Sequence, residues 1–176
     1  MQYKKDLYQK RIYEAEEILN SESFGEVSQK KNLIFATTEY NNIYIEKDLK
    51  SIPQEYYEDI IECLRQLQDG FEENNIQKGR QLWNNNKLSG LHELKPFKVR
   101  IFYRNLAPDM VYVLLVRMKK SDNSQLDREE AIIRNKQTTN EFERLKEEIK
   151  NPERKQELIE QNIEIYERVL ERINQK

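Results

Sequence analysis

The chain has 176 residues, and its 30 Lys and Arg against 32 Asp and Glu leave a formal net charge of −2. That length suits one domain of ordinary size with a remainder, and 35% charged against 37% apolar residues predicts a small core carried with long solvated helices. Four Gly, four Pro, one Cys and one His argue against a Gly-rich phosphate loop, Pro-rich linkers, an internal disulfide and a His/Cys metal site, so no cofactor is expected.

Leu7 or Tyr8, Ile12, Ala15 and Leu19 recur at helical spacing and predict an amphipathic helix over 3–20. Gly25 lies in a break at 21–29. Short β-like runs at 33–35 and 43–45 flank a polar turn. Pro53 opens a clear helix whose apolar face carries Tyr56, Tyr57, Ile60, Ile61, Leu64 and Leu67, and Gly70 is placed to end it. A second helix is expected over about 74–83. Three strands follow at about 91–95, 98–104 and 110–117, with turns at Pro96 and around Pro108.

Helices finish the chain. One includes Ala131, Phe142, Leu145 and Ile149, and Pro152 breaks it or begins the next. From there Ile159, Ile163, Tyr166, Leu170 and Ile173 form a short heptad-like seam. Its plain reading is a helix covering the core of its own chain; the alternative is a dimer through the terminal helices. The longest apolar run, 111–116, is too short for a bilayer, and the N-terminus lacks the apolar core of a signal peptide. A cytoplasmic protein with no membrane contact is therefore expected.

The charge is unevenly placed. Between Ile76 and Lys120 stand ten Lys or Arg and only two acids, Glu93 and Asp109, while both flanks are acidic. A basic segment inside an acidic chain is an electrostatic footprint for a polyanion, above all nucleic acid. In the middle strand the period of two sends Val99, Ile101 and Tyr103 to one face, and Lys98, Arg100, Phe102 and Arg104 to the other. Three cations and an aromatic on one face fit an RNA surface; the plain alternative is a solvated sheet face.

The order strand, two helices, three antiparallel strands, helix, with a basic sheet, resembles the RelE/ParE toxin superfamily, and within it the HigB-like, phage-derived branch. The pieces are Leu91-His92-Glu93-Leu94-Lys95, Val99-Arg100-Ile101-Phe102-Tyr103, and the strand from Val111 to Val116 leading to Lys119-Lys120-Ser121. The stretch IEKDLKSIPQEYYEDIIECLRQLQDG resembles the first strand and helix of that family. The resemblance implies an α+β fold: a small antiparallel sheet with N-terminal helices packed on one face, plus extra helices at both ends. It divides the chain into an N-terminal helical extension over 1–42, a toxin domain over 43–135 and a C-terminal helical extension over 136–176. It implies the toxin of a type II toxin–antitoxin system, acting as a metal-independent, ribosome-associated messenger RNA endoribonuclease. The partners implied are messenger RNA, the ribosome and a cognate helix-turn-helix antitoxin. The alternative is a non-enzymatic binding protein, either a ParE-like gyrase inhibitor or a degenerate toxin that only binds a partner. This chain departs from the branch in three places. His92 stands where Trp is frequent, the His-Gly pair after the apolar strand is missing, and 127–131 offers no catalytic His or Tyr.

Cleaving RNA without a metal requires deprotonating the 2′-hydroxyl, stabilising the phosphorane and protonating the leaving 5′-oxygen. Arg100 is the candidate phosphate clamp, since a guanidinium holds two phosphate oxygens in fixed geometry. Lys95 is the family-position candidate for binding or proton transfer, and Lys119 and Lys120 stand where relatives carry functional cations. His92 has the one side chain that ordinarily titrates near neutrality, and a structural role is its equal alternative. Lys98 and Arg104 are expected to grip backbone phosphates, and Phe102 to stack a base or cap the core.

Overall fold

The computed structural model describes residues 31–69, 80–81, 91–94, 98–119 and 124–174. The helix expected over 3–20, the turn at Pro96, and Lys95 and Lys120 lie outside them. Among the described residues the elements run β1 (Asn32–Phe35), α1 (Tyr44–Leu49), a 3-10 turn (Gln54–Tyr56), α2 (Tyr57–Asp69), β2 (Arg80–Gln81), β3 (Leu91–Leu94), β4 (Val99–Ala107), β5 (Met110–Met118), α3 (Ser124–Glu148) and α4 (Pro152–Asn174). The fold is α+β.

One five-stranded sheet has the order β1-β5-β4-β3-β2. Strands β2 to β5 pair antiparallel, but β1 pairs parallel to β5, so the sheet is mixed where an antiparallel one was expected. The reason is the connection. Strand β1 is separated from β5 by helices and by strands β2 to β4, and such a long crossover permits parallel pairing. Residues 80–81 are strand, whereas a helix was expected through 83. The run at 43–45 is a single bridge, Thr37 to Ile43, followed at once by α1. Strand β1 belongs to the same sheet as β4 and β5, and α3 runs across 135–136. The boundaries expected at 42/43 and 135/136 therefore cut through continuous structure.

Both faces of the sheet are buried. On one, Leu33, Phe35, Val99, Ile101, Tyr103, Val111 and Val113 meet Ile60, Leu64 and Leu67 of α2 and Val169 and Ile173 of α4. On the other, Ile34, Phe102, Tyr112, Leu114 and Leu115 meet Ala131, Phe142 and Leu145 of α3. The alternation read from β4 holds. In β5 it slips, because Phe102 pairs with Leu115 but Tyr103 with Val113. Leu114 is thus the extra residue of a bulge, and Leu114 and Leu115 both face α3.

The rim of the sheet is closed by side chains. Asn162 of α4 accepts the Phe35 N–H at 2.8 Å and donates to its own helix at Leu158 O, 2.9 Å, which caps the outer edge of β1. Strand β1 ends early, with Ala36 N–H on Val113 O as its last rung. Beyond it, β5 is finished by Asp48 of α1, which accepts the Val116 N–H at 3.1 Å, and by Arg134 of α3, which donates to Leu114 O at 2.8 Å. The α3–α4 corner is local chemistry. Asn151 Oδ1 accepts the Glu153 N–H at 2.9 Å and Pro152 opens α4, an N-cap followed by proline at the first helical position. The seam of α4 covers its own chain: Ile173 is buried and Tyr166 packs edge-on to Phe35, while Ile163 remains 51% exposed.

Candidate nucleic-acid interface

Strand register assembles the cations. Arg100 lies directly across from Arg117, and one step further out Lys119 N–H bonds Lys98 O at 2.7 Å. Directly paired residues share a sheet face, so Lys98, Arg100, Arg117 and Lys119 form two cross-strand pairs at the open end of the β4–β5 hairpin. Lys98 and Lys119 are exposed; Arg100 and Arg117 are 8% and 7% exposed. Like charges set opposite each other are unfavourable unless something anionic or polar answers them. Arg100 donates Nη1 to Val99 O at 2.9 Å, Arg117 donates Nε to Met118 O at 3.3 Å, and Arg117 Nη1 is ion-paired with Glu130 of α3.

The other half of the expected face is closed. Phe102 is fully buried beneath α3 and cannot stack a base. Arg104 donates to Asn135 Oδ1 at 3.3 Å and sits 3.8 Å from the ring centre of Phe142, an aromatic cap on its guanidinium. Burial pulls the Arg104 guanidinium below its ordinary range, opposed by the carboxylate of Glu143. Beside it, Glu141 of α3 accepts from Tyr112 OH and from Thr37 N–H, the latter at 2.9 Å. Burial and then Glu141 push the Tyr112 phenol far above its ordinary range. The base-stacking alternative for Phe102 is thereby excluded and it caps the core, while Arg104, half-buried, is engaged by α3.

His92 is not brought to Arg100. It pairs with Tyr103 across β3–β4, stacking at 5.2 Å between ring centres, and faces the α2 side of the sheet. Its ring nitrogen lies 3.4 Å from Asn105 Nδ2. The sheet itself separates it from the cation cluster. Arg117 is the member that sequence reasoning missed. The signal was in the hairpin: counting back from the turn at Pro108 sets it opposite Arg100.

Among the described residues no group of His, Cys, Asp and Glu could hold a metal ion, and no helix is long and apolar enough to cross a membrane. Chemically, the cluster sets two buried guanidiniums beside two exposed ammonium groups, donors of the kind that bind phosphate. Compared with family models, curated proteins and solved structures, the chain matches none.

Proposed function

We propose that this chain is a toxin on the RelE/ParE plan that binds RNA at the open end of the β4–β5 hairpin and cleaves it without a metal. The observation that carries the reading is the Arg100–Arg117 register with Lys98 and Lys119 beside it, set on a sheet whose first strand runs parallel to its last. The three antiparallel strands β3 to β5 followed by a helix are in the order of the sequence resemblance, whereas the parallel β1 departs from the antiparallel sheet it implies. In this reading Arg100 stabilises the pentavalent phosphorus centre, Lys98 and Lys119 hold the strand, and Lys119 is the nearest described candidate for proton transfer.

A second reading is favoured by the burial of Phe102, by the engagement of Arg104 with Phe142, and by the separation of His92 from Arg100. It is a toxin relative that binds RNA or a protein partner without cutting. Expression of the full chain in a bacterial host discriminates them. Growth arrest with broken messenger RNA supports the nuclease, arrest with a DNA-damage response supports gyrase as the target, and RNA binding without cleavage or arrest supports the second reading.

A further inference from the structure

The cation cluster and its cover are built as opposite halves of one contact. Helix α3 lies over the face that carries the cations, and two of its carboxylates are engaged there. Glu130 pairs Arg117, and Glu141 takes Tyr112 and Thr37. The large apolar anchors of α3, Phe142 and Leu145, lie toward its C-terminal end, and beside Glu130 the small Ala131 is buried with Ile132 packed near it. The Glu130 side chain is 44% exposed while that of Arg117 is 7% exposed. Such a half-exposed carboxylate contributes little to stability, yet it occupies donors whose geometry fits a phosphodiester.

We propose that Arg100 and Arg117 form a paired phosphate site for a single-stranded RNA backbone, and that Glu130 closes it in cis by occupying Arg117. RNA enters by replacing the Glu130 carboxylate with a phosphate, while the Phe142 end of α3 stays docked. This rests on the proposed RNA reading for its ligand, but the site itself is defined by the two arginines and the carboxylate. It assigns Arg117 a binding role beyond that of Arg100, and it assigns Glu130 a regulatory one.

The test uses the full chain and its E130Q, R117A and E130Q/R117A variants. Each is titrated by fluorescence anisotropy with a labelled single-stranded RNA and, in parallel, by calorimetry with inorganic tripolyphosphate. Because Glu130 is half exposed, E130Q is expected to fold, and circular dichroism with thermal melting checks this. E130Q should bind both probes about tenfold tighter, the scale of removing one charge-assisted competitor. The double variant should lose that gain. E130Q and wild type binding alike within about twofold, or a double variant that keeps the gain, overturns the proposal. The two readings fail separately. Tighter tripolyphosphate binding by E130Q, with no RNA binding by either protein, retains the phosphate site and removes the RNA function. RNA cleavage by the wild type with E130Q unchanged retains the toxin and removes the gate.

Discussion

Asp48 and Arg134 stand 86 residues apart in the chain and meet in a two-point ion pair, Nη2 to Oδ1 at 2.8 Å and Nη1 to Oδ2 at 3.0 Å. Both are buried, the Asp48 carboxylate also takes the Val116 N–H, and the Arg134 guanidinium lies 4.0 Å from the Tyr44 ring centre. The pair therefore does the work of a missing strand along the last third of β5 while joining α1 to α3. Burial lifts the Asp48 carboxyl above its ordinary range, opposed by Arg134 and Val116. Removing one partner leaves the other charged and buried. Asp48→Asn and Arg134→Met are each expected to cost about 3–5 kcal/mol, and the double variant clearly less than their sum. Urea unfolding of the four proteins in a mutant cycle checks it; additive losses would show that the two groups act independently.

Phe142 is the apolar anchor of α3, buried between Tyr112, at 5.3 Å between ring centres, and the guanidinium of Arg104. Phe142→Ala should cost about 3–5 kcal/mol through the cavity it leaves and should uncover Arg104. Phe142→Leu should cost much less. Hydrogen exchange localises the effect: amides of α3 should lose protection before those of β4 and β5. Uniform loss across the whole sheet would mean that α3 is no separate cover but an inseparable part of one cooperative unit.

The strands were legible because alternation and turn chemistry are local. The Val99, Ile101, Tyr103 face and the turn at Pro108 both follow from neighbours a few residues away. The partner of β1 was not legible, since nothing in Leu33, Ile34 or Phe35 records which strand lies beside them. The cover on the second face had a signal. Val111 to Val116 is apolar without a break, the mark of a strand buried on both sides, and that implies a helix over Lys98, Arg100, Phe102 and Arg104. The helix itself was expected, but where it docks was hidden, because many of its buried contacts are polar: Arg134 with Asp48, Glu141 with Tyr112, Thr138 with its own backbone. Of the candidate site, residue types and face were readable. Burial, which removes Phe102 from the surface and leaves Arg100 and Arg117 only 8% and 7% exposed, was not.

Tyr166 predicts the alkaline limit of stability. Burial between α4 and the sheet is the main influence that pushes its phenol up to about 12, and Tyr112 moves the same way for burial and Glu141. Both phenols ionise near 10 in the unfolded chain. The unfolded state therefore releases their protons first. The stability they allow is complete below pH 10 and falls as pH rises through the range from 10 toward 12. Tyr166→Phe should flatten that fall, with Tyr112→Phe flattening it further at the cost of the Glu141 hydrogen bond. Ultraviolet titration of the phenolates alongside thermal melting measures both, and a melting temperature that falls equally in wild type and Tyr166→Phe would remove Tyr166 as the cause.

Arg100 carries the chemical prediction. If it stabilises the transition state, Arg100→Ala should lower RNA cleavage by about 10²-fold or more, the scale of one preorganised donor. Arg100→Lys should recover little, because an ammonium lacks the planar two-point geometry. Because Arg100 is buried, the melting transition of each variant is the control that separates lost chemistry from lost fold. With Lys, Arg and carboxylates as the reactive groups, cleavage should persist in excess chelator. Attack by the neighbouring 2′-hydroxyl then leaves a 2′,3′-cyclic phosphate or, after its opening, a 3′-phosphate. Mass spectrometry of the cut ends reads this directly. Products ending in a 3′-hydroxyl, or activity abolished by chelator, would require a hydrolytic or metal-dependent route and would remove Arg100 from the role given to it. His92→Ala supplies the counter-test: it lies across the sheet from Arg100, so the cleavage rate should change by less than about threefold at every pH. A pH profile that loses its neutral limb in His92→Ala would place the proton transfer on the opposite face and overturn the site.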